Sequence, residues 1–236
     1  MELNKIYNED CLLTMARIPD GFIDLVITSP PYNLGDLHHT GDHRFKPYQD
    51  SLPEEDYQEW QMQILNELFR ITNDNGSLIY NHKNRIKDGI QITPYQWLLK
   101  TKWVIKQEIV WFNESQNFDK VRFYPMTERI YWLAKSPSTQ LFNTINHHDL
   151  FDKKEWPPQG TDKQHRRTFP IKLVMDILKC FPEANLVYDP FMGSGTTALA
   201  CITLGRNYIG SEINPEYVEM AERRIYGDLF VGVKND

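Results

Sequence analysis

Cysteine is scarce in this 236-residue chain: Cys11, Cys180 and Cys201 are odd in number and stand at no short pairing or metal-binding spacing. A disulfide-stapled secreted scaffold is therefore excluded, and reduced thiols in the cytoplasm are the simplest account. Long apolar runs are missing too. No stretch is long enough to cross a bilayer, and the opening Met1-Glu2-Leu3-Asn4-Lys5 has no basic-then-apolar signal pattern. No membrane attachment is expected. Positive charge is not in excess: 26 Lys and Arg against 32 Asp and Glu give a net charge of −6. A protein coated in basic charge is excluded, but a single basic face that meets nucleic acid is not. Internal repeats, low-complexity segments and the Gly-Lys-Ser/Thr of a phosphate-cradling loop are all absent.

What is present is a core. Apolar residues make up 41% of the chain, enough for one large α/β domain spanning 1–236. Apolar runs at Lys5–Tyr7, Leu25–Ile27, Ser77–Asn81, Val104–Phe112, Glu128–Ala134, Leu186–Tyr188 and Asn207–Gly210 read as strands. Helical spacing predicts helices around Leu12–Met15, from a Ser51-Leu52-Pro53-Glu54 capping box to about Ile71, over Lys87–Lys100, and after Pro170. Two more are expected, one ending near Gly205 and one starting at Pro215 under an Asn214 cap. Strand, helix and strand in succession give the βαβ signature of a parallel sheet. Val104–Phe112 and Glu128–Ala134, with no long helix between them, are expected to pair antiparallel.

Two stretches carry chemistry. In the first, Leu25-Val26-Ile27-Thr28 runs into Ser29-Pro30-Pro31-Tyr32-Asn33. Two prolines end the strand and stiffen the turn, at the strand end where open α/β sheets bind ligands. Ser29 and the Pro30 carbonyl offer acceptors, and Tyr32 offers an aromatic face. Taken alone, the motif reads equally as a rigid turn with Tyr32 in the core. The second stretch is Asp189-Pro-Phe-Met-Gly-Ser-Gly-Thr-Thr197, a glycine-rich strand-to-helix turn, with Glu212 about 20 residues beyond it where dinucleotide-type folds place a ribose-binding acid. Ala198 falls where the dinucleotide pattern takes Gly or Ala, so pattern alone does not exclude such a ligand. A carboxylate at Asp189 would repel a pyrophosphate and suit an ammonium.

Together, Thr28–Asn33 and Asp189–Thr197 resemble the exocyclic-amino DNA methyltransferases of the beta group. His165-Arg-Arg-Thr-Phe-Pro170 and Asn8-Glu-Asp-Cys11 are similar to two further segments of that family, although Arg166-Arg167 departs from the proline and small residue expected there. The resemblance implies a three-layer Rossmann-like methyltransferase fold with a mixed, mostly parallel seven-stranded sheet. Its order is circularly permuted, the catalytic motif preceding the cofactor motif. It implies transfer of a methyl group from S-adenosyl-L-methionine to an exocyclic amine of a flipped base. N4 of cytosine is favoured by Ser29, and N6 of adenine is the alternative. Methylation of RNA, protein or a small molecule, and a non-catalytic DNA-binding module, rank below both.

By the same resemblance Ser29, Pro30, Pro31 and Tyr32 are catalytic. Asp189 meets the methionine ammonium; Phe191, Gly193, Gly195 and Thr196 line the methionine end; Glu212 takes the ribose; Asp10 and Cys11 border the adenine. The polar loop 34–52 (with Arg44 and Lys46) and the excursion 137–164 (with Lys153 and Lys154), joined by Arg166 and Arg167, are the candidates for contact with double-stranded DNA. The loop's His38, His39 and His43 are assigned no metal, because no Cys or carboxylate at ligand spacing accompanies them. The excursion is short for the family, so a second copy of the chain would share recognition. A cognate restriction endonuclease is the further partner implied.

Overall fold

The structure, a computed structural model, describes residues 1–34, 51–113, 121–141, 148–152, 154–156 and 170–231, with side chains as far as Gly227. Its elements in chain order are β1 (Lys5–Tyr7), α1 (Cys11–Met15), β2 (Ile23–Thr28), α2 (Glu54–Ile71), β3 (Thr72–His82), β4 (Arg85–Lys87), β5 (Ile90–Ile92) and α3 (Tyr95–Leu98). They continue with β6 (Val104–Phe112), β7 (Thr127–Ala134), β8 (Leu150–Asp152), α4 (Ile171–Cys180), β9 (Leu186–Asp189), α5 (Thr196–Thr203), β10 (Asn207–Ser211) and α6 (Pro215–Val231).

Among the described residues, eight strands form one sheet in the order β1-β10-β9-β2-β3-β7-β6-β8. Only β7 runs against the rest, antiparallel to both β3 and β6. The sheet is thus mixed and mostly parallel, with one strand more than the seven expected. The extra strand is β8, three residues that pair parallel with the end of β6. It comes from the stretch read as a surface excursion, where prolines and charge conceal an apolar anchor. Phe151 and Trp156 pack on each other with ring centroids 4.4 Å apart, and the Trp156 indole N–H donates to Asp176 on α4.

Side chains alternate across each central strand, and this alternation builds the three layers. Leu25, Ile27, Ile79, Ile130, Trp132 and Val187 face α4, α5 and α6. Val26, Leu78, Tyr80, Tyr131, Leu133 and Tyr188 face α1, α2 and α3. Both sides of the sheet are covered, as a parallel sheet of near-continuous apolar strands requires.

Two local expectations fail. Ser51 forms no capping box: Pro53 occupies the N-cap with no side-chain bond, while Leu52 is held through both its N–H and its carbonyl by the Asn33 side chain. In place of a helix over Lys87–Lys100 stands the β4–β5 hairpin followed by the single turn of α3. Asp88 and Gly89 turn that hairpin with φ of 51° and 80°. Asp-Gly favours this two-residue turn over a helix.

One side chain fixes the amino ends of three strands. The Asp24 carboxylate on β2 accepts from the Asn73 amide at 2.7 Å and from the backbone N–H groups of Asn185 and Leu186, both at 2.8 Å. Removing it orphans three donors where β2, β3 and β9 begin. Asp24→Ala is expected to lose about 3 kcal/mol in urea unfolding with an unchanged slope; a loss within about 0.5 kcal/mol would show that water replaces the carboxylate.

Candidate active site

The strand order reverses between β2 and β9: β2 leads through α2 to β3 on one side, and β9 leads through α5 to β10 on the other. At such a switch point two adjacent parallel strands turn away from each other above their carboxyl ends, and ligands bind there. Leu25 pairs with Val187 and Val26 with Tyr188, so the two sequence motifs emerge side by side. The Thr28 hydroxyl donates to Asp189 Oδ1 at 2.9 Å, tying one motif to the other.

Asp189 is buried. Its carboxylate also accepts from the Phe191 N–H at 3.0 Å and from the Thr197 hydroxyl at 2.6 Å. Its three hydrogen-bond donors, two hydroxyls and one amide, are all neutral. Burial pushes the carboxyl up to about 6, although all three hydrogen bonds pull it down.

The glycine loop reaches Glu212 at the end of β10. Glu212 is buried, and its carboxylate accepts from the Gly193 N–H at 2.8 Å and the Asn214 N–H at 2.9 Å; burial pushes its pKa above the ordinary carboxylate range. The Glu212 backbone N–H donates to the Tyr7 carbonyl, and Asn8 donates its side-chain amide to the Glu212 carbonyl. The turn containing Asp10 and Cys11 therefore adjoins Glu212. Asp10 caps α1 by accepting from the Leu12 N–H at 2.8 Å, and Cys11 is buried, its thiol pushed up by burial and then by Asp10.

The two glycines differ. At Gly193 (φ 53°) a Cβ would meet nothing closer than 3.9 Å, which leaves that backbone open to an incoming ligand. At Gly195 (φ 83°) a Cβ would lie 2.7 Å from that of Ala221, so close packing of α6 demands this glycine. Thr196, next to it, is buried and receives Arg224 at 3.4 Å.

On the other side of the rim, the Ser29 hydroxyl lies 2.7 Å from the Tyr32 hydroxyl. Tyr32 donates to Glu128 on β7 at 3.1 Å, and the Asn81 amide at the end of β3 donates to both Tyr32 and Glu128. The Tyr32 hydroxyl resists ionisation, first through burial and then through the Glu128 charge. Pro31 is tethered too: its carbonyl accepts from the Tyr57 hydroxyl at 2.7 Å. Rings link the two motifs, from Tyr32 to His82 (4.8 Å), His82 to Tyr57 (6.2 Å), Tyr57 to Trp60 (5.9 Å) and Trp60 to Phe191 (5.7 Å).

The structure thus gathers Asp10, Cys11, Ser29, Pro30, Pro31, Tyr32, Asp189, Phe191, Gly193, Gly195, Thr196 and Glu212 along one rim. Lys154 is exposed just past the carboxyl end of β8, on the same rim at the far edge of the sheet. Arg44, Lys46, Lys153, Arg166 and Arg167 lie outside the described residues, as does the histidine-rich part of loop 34–52. Sequence reasoning missed Thr28, Tyr57, Trp60, Asn81 and Glu128. The rule that found Ser29, polar residues just past an apolar strand, also marks Asn81 and His82.

This fold, with a proline-stiffened turn and a glycine-rich turn on neighbouring strands, defines an α/β methyltransferase. Solved structures share it. A cytosine-N4-specific PvuII DNA methyltransferase superposes with a TM-score of 0.76 at 21% identity, over 93% of this chain and 85% of that one. A protein from Thermus thermophilus described as a putative DNA modification methylase, solved with S-adenosyl-L-methionine, gives 0.69 at 20% identity over 95% and 93%. Two curated relatives are each 28% identical. The type II methyltransferase M.BglII of Bacillus subtilis covers 96% of this chain and 70% of its own length, and the DNA adenine methyltransferase YhdJ of Escherichia coli covers 95% and 83%. The chain belongs to the DNA methylase family, whose model matches residues 23–223. It is a DNA methyltransferase of the N4/N6 type, and its methyl donor is S-adenosyl-L-methionine.

Asp189 makes stability depend on pH. A carboxyl raised from 3.8 to about 6 on folding stabilises fully below the lower value and loses that contribution as pH rises through the upper one. Wild-type stability relative to Asp189→Asn is expected to fall between about pH 4 and pH 7, by on the order of 3 kcal/mol at about 1.4 kcal/mol per unit. Denaturant unfolding of both proteins across that range checks it, and a pH-independent difference would contradict the buried carboxyl's role.

Proposed function

We propose that this chain methylates the exocyclic amine of a base flipped out of duplex DNA, with N4 of cytosine the first candidate and N6 of adenine the second. The observation that carries the reading is the Thr28–Asp189 bond, which holds the base-side turn against the donor-side loop.

Residues of the donor site fit S-adenosyl-L-methionine. A buried carboxylate surrounded only by neutral donors suits an ammonium, so Asp189 takes the methionine amine. Gly193 is open to close approach, and Phe191, Gly195 and Thr196 complete the methionine end. Glu212, with one backbone N–H on each carboxylate oxygen, keeps lone pairs for ribose hydroxyls, beside Asp10 and Cys11 at the adenine. When bound, the donor supplies an electrophilic methyl on a sulfonium.

The amine of a base is a poor nucleophile because its lone pair is delocalised into the ring. Ser29 Oγ and the Pro30 carbonyl accept its two N–H groups, which favours a pyramidal nitrogen and stabilises charge as it develops. Tyr32 stacks on the flipped base. Two prolines and the Tyr57 tether keep the acceptors fixed. Arg44, Lys46, Lys153, Lys154, Arg166 and Arg167 meet phosphates, which makes duplex affinity fall with salt. The type II designation of a relative supports pairing with a restriction endonuclease.

A serine at position 29 and the cytosine-N4-specific structural neighbour favour cytosine; the adenine-specific relative YhdJ supports adenine. Mass spectrometry of nucleosides from DNA incubated with the protein and donor decides between them: N4-methylcytosine is expected, and N6-methyladenine in its place establishes the second reading. Ser29→Ala is expected to cut turnover about 100-fold while calorimetry finds donor affinity unchanged; loss of both together would overturn the role of Ser29.

A further inference from the structure

Forming the N–CH3 bond leaves a surplus proton on the amine, which must go somewhere. A serine hydroxyl cannot keep it. We propose that Glu128 is the terminal acceptor of this proton, reached through Ser29 and Tyr32; the proposal rests on the amino-methylation reading above.

The hydrogen bonds fix the direction of the relay. Asn81 Nδ2 is a donor only, and it gives to both the Tyr32 oxygen and Glu128 Oε2. A carboxylate accepts only, so the Tyr32 proton lies toward Glu128, at 3.1 Å. The Ser29 proton must then lie toward the Tyr32 oxygen, at 2.7 Å. One lone pair of the Ser29 oxygen receives Asn81 Nδ2 at 3.4 Å, and the other remains to accept an amine N–H. Every proton in the chain thus points away from the substrate position and toward Glu128. Asn81 is the positioning residue: its Nδ2 reaches Ser29, Tyr32 and Glu128, while its Oδ1 is buried without a partner.

The step balances. The sulfur–methyl bond breaks and the nitrogen–methyl bond forms; the amine proton passes to Ser29, the serine proton to Tyr32 and the tyrosine proton to Glu128, which ends neutral. Glu128 is half-buried, so the proton can leave to solvent. The charged and titratable groups near it are Tyr32, His82 behind the tyrosine ring, and Arg129, which is paired with Glu108 on β6.

Glu128→Gln keeps a hydrogen-bond acceptor but not a base. It is expected to lower single-turnover methylation about 100-fold and to remove an acid limb from the pH–rate profile. Donor affinity and the fluorescence rise of 2-aminopurine placed at the target base should be unchanged. Tyr32→Phe, which keeps the ring, should cost about as much, and the double variant no more than either alone. Turnover within threefold of wild type in Glu128→Gln, or additive losses in the double variant, overturns the relay. Should Glu128→Gln bind the donor poorly, Tyr32→Phe carries the test alone: unimpaired turnover overturns the relay, and the loss with base flipping intact supports it. A wild-type chain that methylates no DNA overturns the functional reading itself, and the relay with it.

Discussion

The parallel pairing of β2 with β9, closed at its carboxyl end by the Thr28–Asp189 hydrogen bond, is the constraint on which the site depends. It joins residues 161 positions apart. Parallel strands deliver their carboxyl ends to the same rim, and reversal of the strand order there holds the neighbouring loops apart. The sheet is indifferent to which strand comes first in the chain. A catalytic turn that precedes the donor loop in sequence therefore meets it in the same place as it would in any other permutation.

Holding that rim requires polar groups to stay buried, and Arg85, His82 and Tyr57 are held there by their partners. Arg85 is buried, forms a two-pronged pair with Glu54 at 2.8 Å per contact, and lies over the Tyr57 ring at 4.6 Å. His82 is pushed down to about 3 by burial and by Arg85, so it stays neutral at ordinary pH. Its Nδ1 faces the Lys83 carbonyl, which can only accept, so the proton sits on Nδ1 and Nε2 is the acceptor toward Tyr57. The single Tyr57 proton is then divided between His82 and the Pro31 carbonyl. Gln61 donates to the same hydroxyl and accepts from Tyr80, which in turn receives the Trp97 N–H. The stiffness of the Ser29–Tyr32 turn is thus a property of α2, α3 and β3 as much as of two prolines.

Most of this was legible from residue order wherever a local rule sufficed. Apolar runs bounded by turns gave the central strands, and the two motifs gave the donor and acceptor sides of the rim. Local rules failed where a stronger neighbour intervened. Ser51 could not cap because Asn33 already commits Leu52, and Asp88-Gly89 overrides the helical spacing around it. The roles of Asn81 and Glu128 were hidden for another reason. Glu128 is the second residue of β7, and only because β7 runs backward beside β3 does its amino end reach the rim; strand direction and lateral order are tertiary facts. Gly195 resembles a ligand-cradling glycine in sequence, yet its need for a bare Cα comes from Ala221 on α6.

Position 29 joins these points. It follows directly on Thr28, whose hydroxyl is bonded to Asp189, and Glu212 already feels the Asp189 charge. A carboxylate at position 29 would add a third negative group to a poorly solvated corner, and like charges in such surroundings raise one another's pKa, so that they tend to hold a proton and lose their value as acceptors. A serine avoids this. It offers a neutral acceptor to the amine, while the negative charge that a departing proton requires is held two hydrogen bonds away on β7. Separating acceptance of the hydrogen bond from acceptance of the proton lets the donor side keep its uncompensated carboxylate, which is the feature that suits it to a cationic ligand.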